Sequence, residues 1–197
     1  MTPERLQKIT SVLANRQNDL TVVLENVFDP HNVSAVMRSC DAVGVQEIYV
    51  LNTEIPLRKK WGFRSSSSAN KWVTVHQFTK VQPCFEALRK NYDLILTTHL
   101  SEDAIALYDM DLTQRLALVF GNEHSGVSNE IRTLSDGNFL VPQVGMIQSL
   151  NISVACAVTL YEAFRQKKAK GHYDKQKLSA TQFSELSYQW GITNEKD

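Results

Sequence analysis

Three short polar segments each follow an apolar stretch of the kind that forms a β-strand, and they hold the side chains best suited to chemistry. The segment after LTVVLENVF places Asn32 and Arg38 six residues apart. A second follows LALVF and contains Glu123, and a third follows FLVP and contains Ser149 and Asn151. The carboxyl ends of parallel strands meet at one edge of a sheet, where open α/β sheets bind ligands. We therefore expect these five side chains to share a site.

The elements that must position them alternate between strands and helices. Apolar and β-branched runs predict strands in LTVVLENVF, EIYVLN, KWVTVHQF, DLILTTHL, LALVFG and FLVP. Helical spacing and capping residues predict helices over 4–16, 30–44, 81–91, from about 128, over 150–168, and around Phe183, Leu186 and Trp190. This pattern indicates an α/β fold with a mostly parallel sheet covered by helices on both faces. We expect one domain over 20–168 with helical extensions over 1–19 and 169–197.

Several common enzyme and binding classes lack their signatures here. There is no G-x-G-x-x-G, no G-x-x-x-x-G-K-[ST], no G-x-S-x-G and no H-E-x-x-H. The three cysteines are far apart and form no C-x-x-C, so we expect free buried thiols, a reducing cytoplasmic compartment and no metal site. The first residues, MTPERLQKIT, lack the apolar core of a secretory signal, and no run approaches the ~20 apolar residues of a membrane span.

The basic residues are grouped although the net charge is zero. One group lies near the start, one follows the last long helix, and a third, Arg58, Lys59, Lys60 and Arg64, lies in a loop over 53–70 that also holds four consecutive serines. Any one group is explained by a solvated surface. Three groups in a balanced chain favour an anionic partner.

Each candidate side chain also has an ordinary structural explanation. Asn32 and Ser149 are residue types that cap helices, and Arg38 and Glu123 would form a surface ion pair. The stretch over 139–164 would then be a plain strand-to-helix connection. The joint spacing of all five residues favours a site instead.

That joint spacing resembles the three motifs of the SPOUT methyltransferases, in the SpoU branch that methylates ribose 2′-hydroxyls of RNA. The resemblance extends over roughly residues 5–178. The matching residues are Asn32 and Arg38; Gly121, Glu123 and Gly126; and Pro142, Gly145, Ser149, Leu150, Asn151 and Ser153.

The resemblance implies a carboxyl-terminal deep trefoil knot, an exception to the usual unknotted topology. It implies a pocket for S-adenosylmethionine in that knot and a homodimer formed through the knot region. The residues that would line the pocket are Thr98, Gly121, Val141, Met146 and Leu150.

The resemblance also implies roles and a substrate. Arg38 would act at the reacting hydroxyl, either as base or by positioning a phosphate, while Asn32, Glu123, Ser149 and Asn151 orient the reactants, some of them from the partner subunit. Within the branch, the chain is most similar to enzymes that act on guanosine 18 in the D-loop of tRNA. The alternatives are a tRNA wobble nucleotide, ribosomal RNA, or a non-catalytic RNA-binding module. The expected RNA contacts are Arg5, Lys8, Arg16, Arg165, Lys167 and Lys175.

Overall fold

The computed structural model of the protein describes residues 1–57, 69–147 and 149–192. The helices in these ranges are Pro3–Ala14 (α1), Pro30–Val43 (α2), Val81–Asn91 (α3), Asn129–Leu134 (α4), Ile152–Ala169 (α5) and Ala180–Gln189 (α6). The strands are Leu20–Glu25 (β1), Glu47–Leu51 (β2), Thr74–Phe78 (β3), Leu94–Thr98 (β4), Ile105–Ala106 (β5), Leu116–Phe120 (β6) and Gly137–Leu140 (β7). The third basic group and the four serines lie outside the described residues.

The described strands form one parallel sheet in the order β3-β2-β1-β6-β4-β7-β5. The central strands β1 and β6 are buried along their whole length, with Leu20 opposite Leu116 and Leu24 opposite Phe120. Strands covered on both faces are expected to be continuously apolar, as LTVVL and LALVF are. The predicted α/β class is confirmed.

Helices cover both faces of this sheet. Met37 of α2 and Leu160 of α5 lie fully buried in the core on one face. Leu88 of α3 and Ile131 of α4 do so on the other. α2 and α5 also pack against each other, which brings two helices from distant parts of the chain side by side.

Three of these helices begin where strands end. Asp29 caps α2 by accepting the N–H of His31 at 2.8 Å, Ser128 caps α4, and Asn151 caps α5 by accepting the N–H of Ser153 at 2.9 Å. Since α2, α4 and α5 follow β1, β6 and β7, all three loops lie at the carboxyl edge of the sheet.

The two terminal extensions meet beside the domain. Leu13 of α1 packs with Leu186 of α6 and with Trp190 in one buried cluster. Arg16 lies against this cluster. Its guanidinium carbon is 5.1 Å from the Trp190 ring centroid, and its Nη2 is 2.5 Å from the Asp41 carboxylate. We call α1, α6 and the residues that join them to the domain the terminal junction.

A second buried ion pair lies in the terminal junction. Lys167, near the end of α5, places Nζ 2.8 Å from an oxygen of Asp19, and the same carboxylate also contacts His172 and Lys177. Burial lowers the pKa of Lys167, and Asp19 opposes that effect. Burial likewise lowers the pKa of Arg16, opposed by Asp41.

These contacts correct two predictions. Arg16 and Lys167 were expected to reach RNA at the surface, but both side chains are fully buried. The reason is that each has an acidic partner far along the chain, and burial of a charge requires such a partner.

Other differences are local. The strand β5 and the 3₁₀ turn Leu107–Asp109 were not predicted. β1 ends at Glu25 instead of continuing to Phe28, because Asn26 adopts a left-handed φ of 48°. The trefoil knot and the domain boundaries stay predictions. Among the described residues, no helix is both long and apolar enough to cross a membrane.

Candidate active site

A cavity of about 590 Å³ opens at the carboxyl edge of the sheet. It lies after β4, β6 and β7 and reaches the first turn of α5. Phe120, Phe139 and Ile152 supply apolar walls, and Glu123 is the one carboxylate among the described lining residues. Small-molecule sites are typically concave, largely apolar and about 300–1,000 Å³ in volume, with a few polar groups that orient the ligand.

Four of the five predicted cofactor residues line this cavity: Thr98, Gly121, Val141 and Leu150. Met146 does not, and its side chain is 99% exposed. The assignment of Met146 as a cofactor contact therefore stays a prediction.

Three of the five predicted catalytic side chains form a chain of hydrogen bonds beside the cavity. Asn32 donates through Nδ2 to Glu123 at 2.8 Å, and its own Oδ1 accepts from Nδ2 of Asn151 at 3.2 Å. Asn151 also caps α5, since its Oδ1 accepts both the N–H and the hydroxyl of Ser153. Capping and site geometry are therefore compatible at Asn151, and three polar segments distant in sequence meet at one point.

The other two predicted catalytic residues, Ser149 and Arg38, lie in different places relative to the cavity. Ser149 lines the cavity and is exposed. Arg38 lies on the exposed side of α2 and is not among the residues that line the cavity. The ion pair between Arg38 and Glu123 that was the structural alternative is not among the contacts of Glu123, which is held by Asn32 instead.

The sequence reasoning missed His99, which lines the cavity directly after β4. Its Nε2 lies 2.6 Å from Nη1 of Arg132, and a guanidinium can only donate, so Nε2 is the acceptor. Asn138 donates to the backbone oxygen of His99 at 3.1 Å and holds this turn in place. A histidine at the end of a buried strand, as in LILTTHL, was the available signal.

The loop after β6 is closed on itself. A Cβ atom on Gly121 would lie 2.2 Å from the Gly126 backbone, so only glycine fits there. Gly126 itself has a left-handed φ of 68°. The two glycines of the motif therefore allow a tight loop that places Glu123 beside Asn32.

The remaining predicted RNA contacts are exposed. Arg5 and Lys8 lie on α1, and Lys175 follows α5. Arg165 is exposed but pairs with both carboxylate oxygens of Glu162, at 2.9 and 2.7 Å. Among the described residues, no group of three or more His, Cys, Asp or Glu side chains is placed to hold a metal ion.

A model of the SpoU rRNA Methylase family matches residues 19–161. The chain belongs to this family. The match covers the sheet, all three polar segments and most of α5, so every residue of the hydrogen-bonded group lies within it.

Similar proteins agree with this assignment to the SpoU family. The tRNA (guanosine(18)-2′-O)-methyltransferase of Thermus thermophilus is 40% identical over 191 residues, which is 96% of each chain. The crystal structure of the A. aeolicus TrmH/SpoU tRNA modifying enzyme has a TM-score of 0.87 at 37% identity and covers 95% of this chain and 94% of that one. The SpoU methyltransferase AviRb from Streptomyces viridochromogenes, in complex with AdoMet, has a TM-score of 0.69 at 25% identity over 79% of this chain and 59% of its own. These likenesses confirm the predicted α/β fold class.

Proposed function

We propose that this SpoU methylase transfers a methyl group from S-adenosylmethionine to the ribose 2′-hydroxyl of guanosine 18 in tRNA. The observation that carries the proposal is the hydrogen-bonded group Glu123–Asn32–Asn151 beside a cavity at the carboxyl edge of the sheet. The names of the T. thermophilus and A. aeolicus relatives support tRNA as the substrate.

The cavity fits S-adenosylmethionine in size and chemistry. Its volume is in the range that holds nucleoside-sized ligands, and Leu140, Val141 and Leu150 provide accessible apolar surface for an adenine ring. The cavity lining also carries the carboxylate of Glu123, a favourable neighbour for a positive sulfonium. When bound, the cofactor supplies a methyl group activated by that sulfonium.

The residues around the cavity would align the nucleophile. A ribose hydroxyl is weakly acidic, so the site must hold it in line and lower the cost of losing its proton. The amides of Asn32 and Asn151 are linked to Glu123, which restricts all three side chains. Guanidinium groups keep their proton, so we assign Arg38 to position a phosphate and to stabilise the developing alkoxide, not to act as base.

A homodimer is part of the proposal. Val144, Met146 and Ile147 on the loop before α5 and Val154 and Tyr161 on α5 are all exposed apolar side chains. Several large apolar side chains exposed on one loop and the helix after it are typical of an interface, and a second copy of the chain is the proposed partner. In such a dimer, some of the active-site side chains would come from the partner subunit. Met146→Glu should shift the sedimentation coefficient from dimer to monomer; an unchanged dimer would exclude this face.

The tRNA would be held mainly through its phosphates. Folded RNA hides its base edges, so shape and charge dominate recognition. Arg5, Lys8, Arg165 and Lys175 are the exposed candidates for these contacts. The cytoplasmic location predicted from the cysteines agrees with a tRNA substrate, and the three thiols are free and buried.

The decisive experiment measures transfer of labelled methyl from S-adenosylmethionine to tRNA transcripts. We expect incorporation into a full tRNA and none into the same tRNA carrying 2′-deoxyguanosine at position 18. Continued incorporation into the deoxy substrate would exclude guanosine 18. Transfer to an anticodon stem-loop or to ribosomal RNA alone would favour the two alternative substrates. Absence of transfer to any of these RNAs, with tight tRNA binding, would favour a binding module.

A further inference from the structure

The loop that carries Glu123 is held by two consecutive residues, Glu25 at the end of the neighbouring strand β1 and Asn26 directly after it. Asn122, directly before Glu123, donates through Nδ2 to the backbone oxygen of Asn26 at 2.9 Å. At the far end of the loop, the N–H of Ser128 donates to the Glu25 carboxylate at 2.9 Å. Both ends of the loop are thus tied to the end of β1.

Asn26 offers its backbone oxygen because it leaves the strand geometry. It is buried and has a left-handed φ of 48°, a region that asparagine tolerates better than most residues. Its side chain is held at both ends, since Oδ1 accepts the N–H groups of Thr53 and Glu54 at 2.9 and 3.0 Å and Nδ2 donates to the Thr53 hydroxyl at 2.9 Å. The acceptor presented to Asn122 is therefore fixed by the loop after β2.

Asn122 uses both halves of its amide. While Nδ2 donates to Asn26, Oδ1 accepts the N–H of His124 at 2.7 Å and the N–H of Ser125 at 3.2 Å. Its backbone exchanges two hydrogen bonds with Gly126, at 3.0 and 2.9 Å. The side chain is buried, whereas Glu123 beside it is exposed.

We propose that Asn122 is a positioning residue of the methyl-transfer site, which acts by holding Glu123 against Asn32. The Asn122 amide donates to a carbonyl and accepts from two N–H groups at the same time, so aspartate loses the donor and alanine loses the whole set. If Asn122 releases Asn26, the backbone at Glu123 is free to rotate and its hydrogen bond to Asn32 lengthens. Displacements of about 1 Å in a catalytic group cost up to ~10²-fold in rate.

The kinetic test rests on the proposed function, and wild-type protein is measured in parallel. Asn122→Asp keeps the acceptor oxygen but places a second oxygen against the Asn26 carbonyl. We expect kcat per folded protomer to fall about 30-fold, with the KM for tRNA changed less than about threefold. In Glu123→Gln, kcat should fall further. Adding Asn122→Asp to Glu123→Gln should lower kcat by less than about threefold more, because both changes break the same interaction.

Asn52→Asp is the matched control. Asn52 is another buried asparagine at the same edge, directly after β2, and does not line the cavity. It should also lower the thermal midpoint, because its Nδ2 lies 3.5 Å from the Pro56 carbonyl oxygen, and kcat should stay within about twofold of wild type. If the losses of kcat in Asn122→Asp and Glu123→Gln multiply in the double variant, or if Asn122→Asp keeps the wild-type kcat, Asn122 does not act through Glu123.

A structural measurement tests the inference without activity. In a crystal structure of Asn122→Ala, the distance from Asn32 Nδ2 to Glu123 should exceed the hydrogen-bond limit of about 3.5 Å. An unchanged 2.8 Å contact would overturn the inference whether or not the wild type methylates tRNA. Failure of the wild type to methylate would overturn only the proposed function.

Discussion

Arg16 in the terminal junction and Arg38 beside the active site are the same residue type, and both were expected to contact RNA or substrate. The structure gives them opposite environments. Arg16 is fully buried, with its charge against Asp41 and its plane near Trp190. Arg38 is exposed on α2, the helix that also carries Asn32, the hydrogen-bond partner of Glu123.

The difference lies in what each region leaves open to a ligand. In the terminal junction the buried charged side chains pair with one another, because a buried cation is tolerated only with a close acid and hydrogen-bond acceptors. At the active site, Asn32, Glu123 and Asn151 bind one another but remain open to solvent. A basic side chain that is buried against an acid therefore belongs to the fold, whereas an exposed one is available to a ligand, and the two kinds should respond differently to mutation.

The largest effect is expected at Arg38. Arg38→Ala should lower kcat for methyl transfer by about 10³-fold, the upper range for loss of a donor that stabilises developing negative charge. Its thermal midpoint should stay near the wild-type value, since exposed substitutions change stability by about ±0.5 kcal/mol. Methyl transfer and differential scanning calorimetry on one preparation check both parts. Near-normal turnover would remove Arg38 from the mechanism.

The next effect is on stability. Arg16→Met keeps much of the side-chain volume but leaves Asp41 without its partner and removes the cation beside Trp190. Breaking a buried pair costs ~3–5 kcal/mol, and Asp41 is partly exposed, so we expect about 3 kcal/mol. That corresponds to a thermal midpoint lower by about 6–12 °C. If Arg16→Met instead melts normally and binds tRNA weakly, the original surface assignment of Arg16 was right.

The contrast also marks what could be predicted from the sequence. The Asp29–Pro30 start and Gly44 end of α2 are local signals, and the structure confirms both. Motif spacing brought Asn32, Glu123 and Asn151 together correctly. Arg16 was misassigned because Asp41 is 25 residues away and its packing partner Trp190 lies in the other extension. Contacts of that range depend on how the terminal helices pack, which local patterns do not encode.

A matched pair of lysines sharpens the distinction further. Lys167→Met removes a buried charge while His172 and Lys177 still contact Asp19, so the loss of stability should be smaller than at Arg16, about 2 kcal/mol.

Lys175→Ala removes an exposed charge and should weaken tRNA binding a few-fold, with a lower salt slope and little change in the unfolding midpoint. Urea unfolding and filter binding at two salt concentrations separate the two. The reverse assignment of effects would contradict the comparison.

The smallest effect concerns pH. Burial lowers the pKa of His172, with Lys167 and Lys177 adding to the effect and Asp19 opposing it. Below the unfolded value of about 6.5, the unfolded chain therefore binds a proton that the folded protein does not. Stability that His172 contributes is present above that pH and is lost as pH falls. Urea midpoints at pH 7.5, 6.5 and 5.5 should fall less steeply for His172→Asn than for wild type. Equal slopes for His172→Asn and wild type would mean that the junction, despite its buried charges, does not set the pH response.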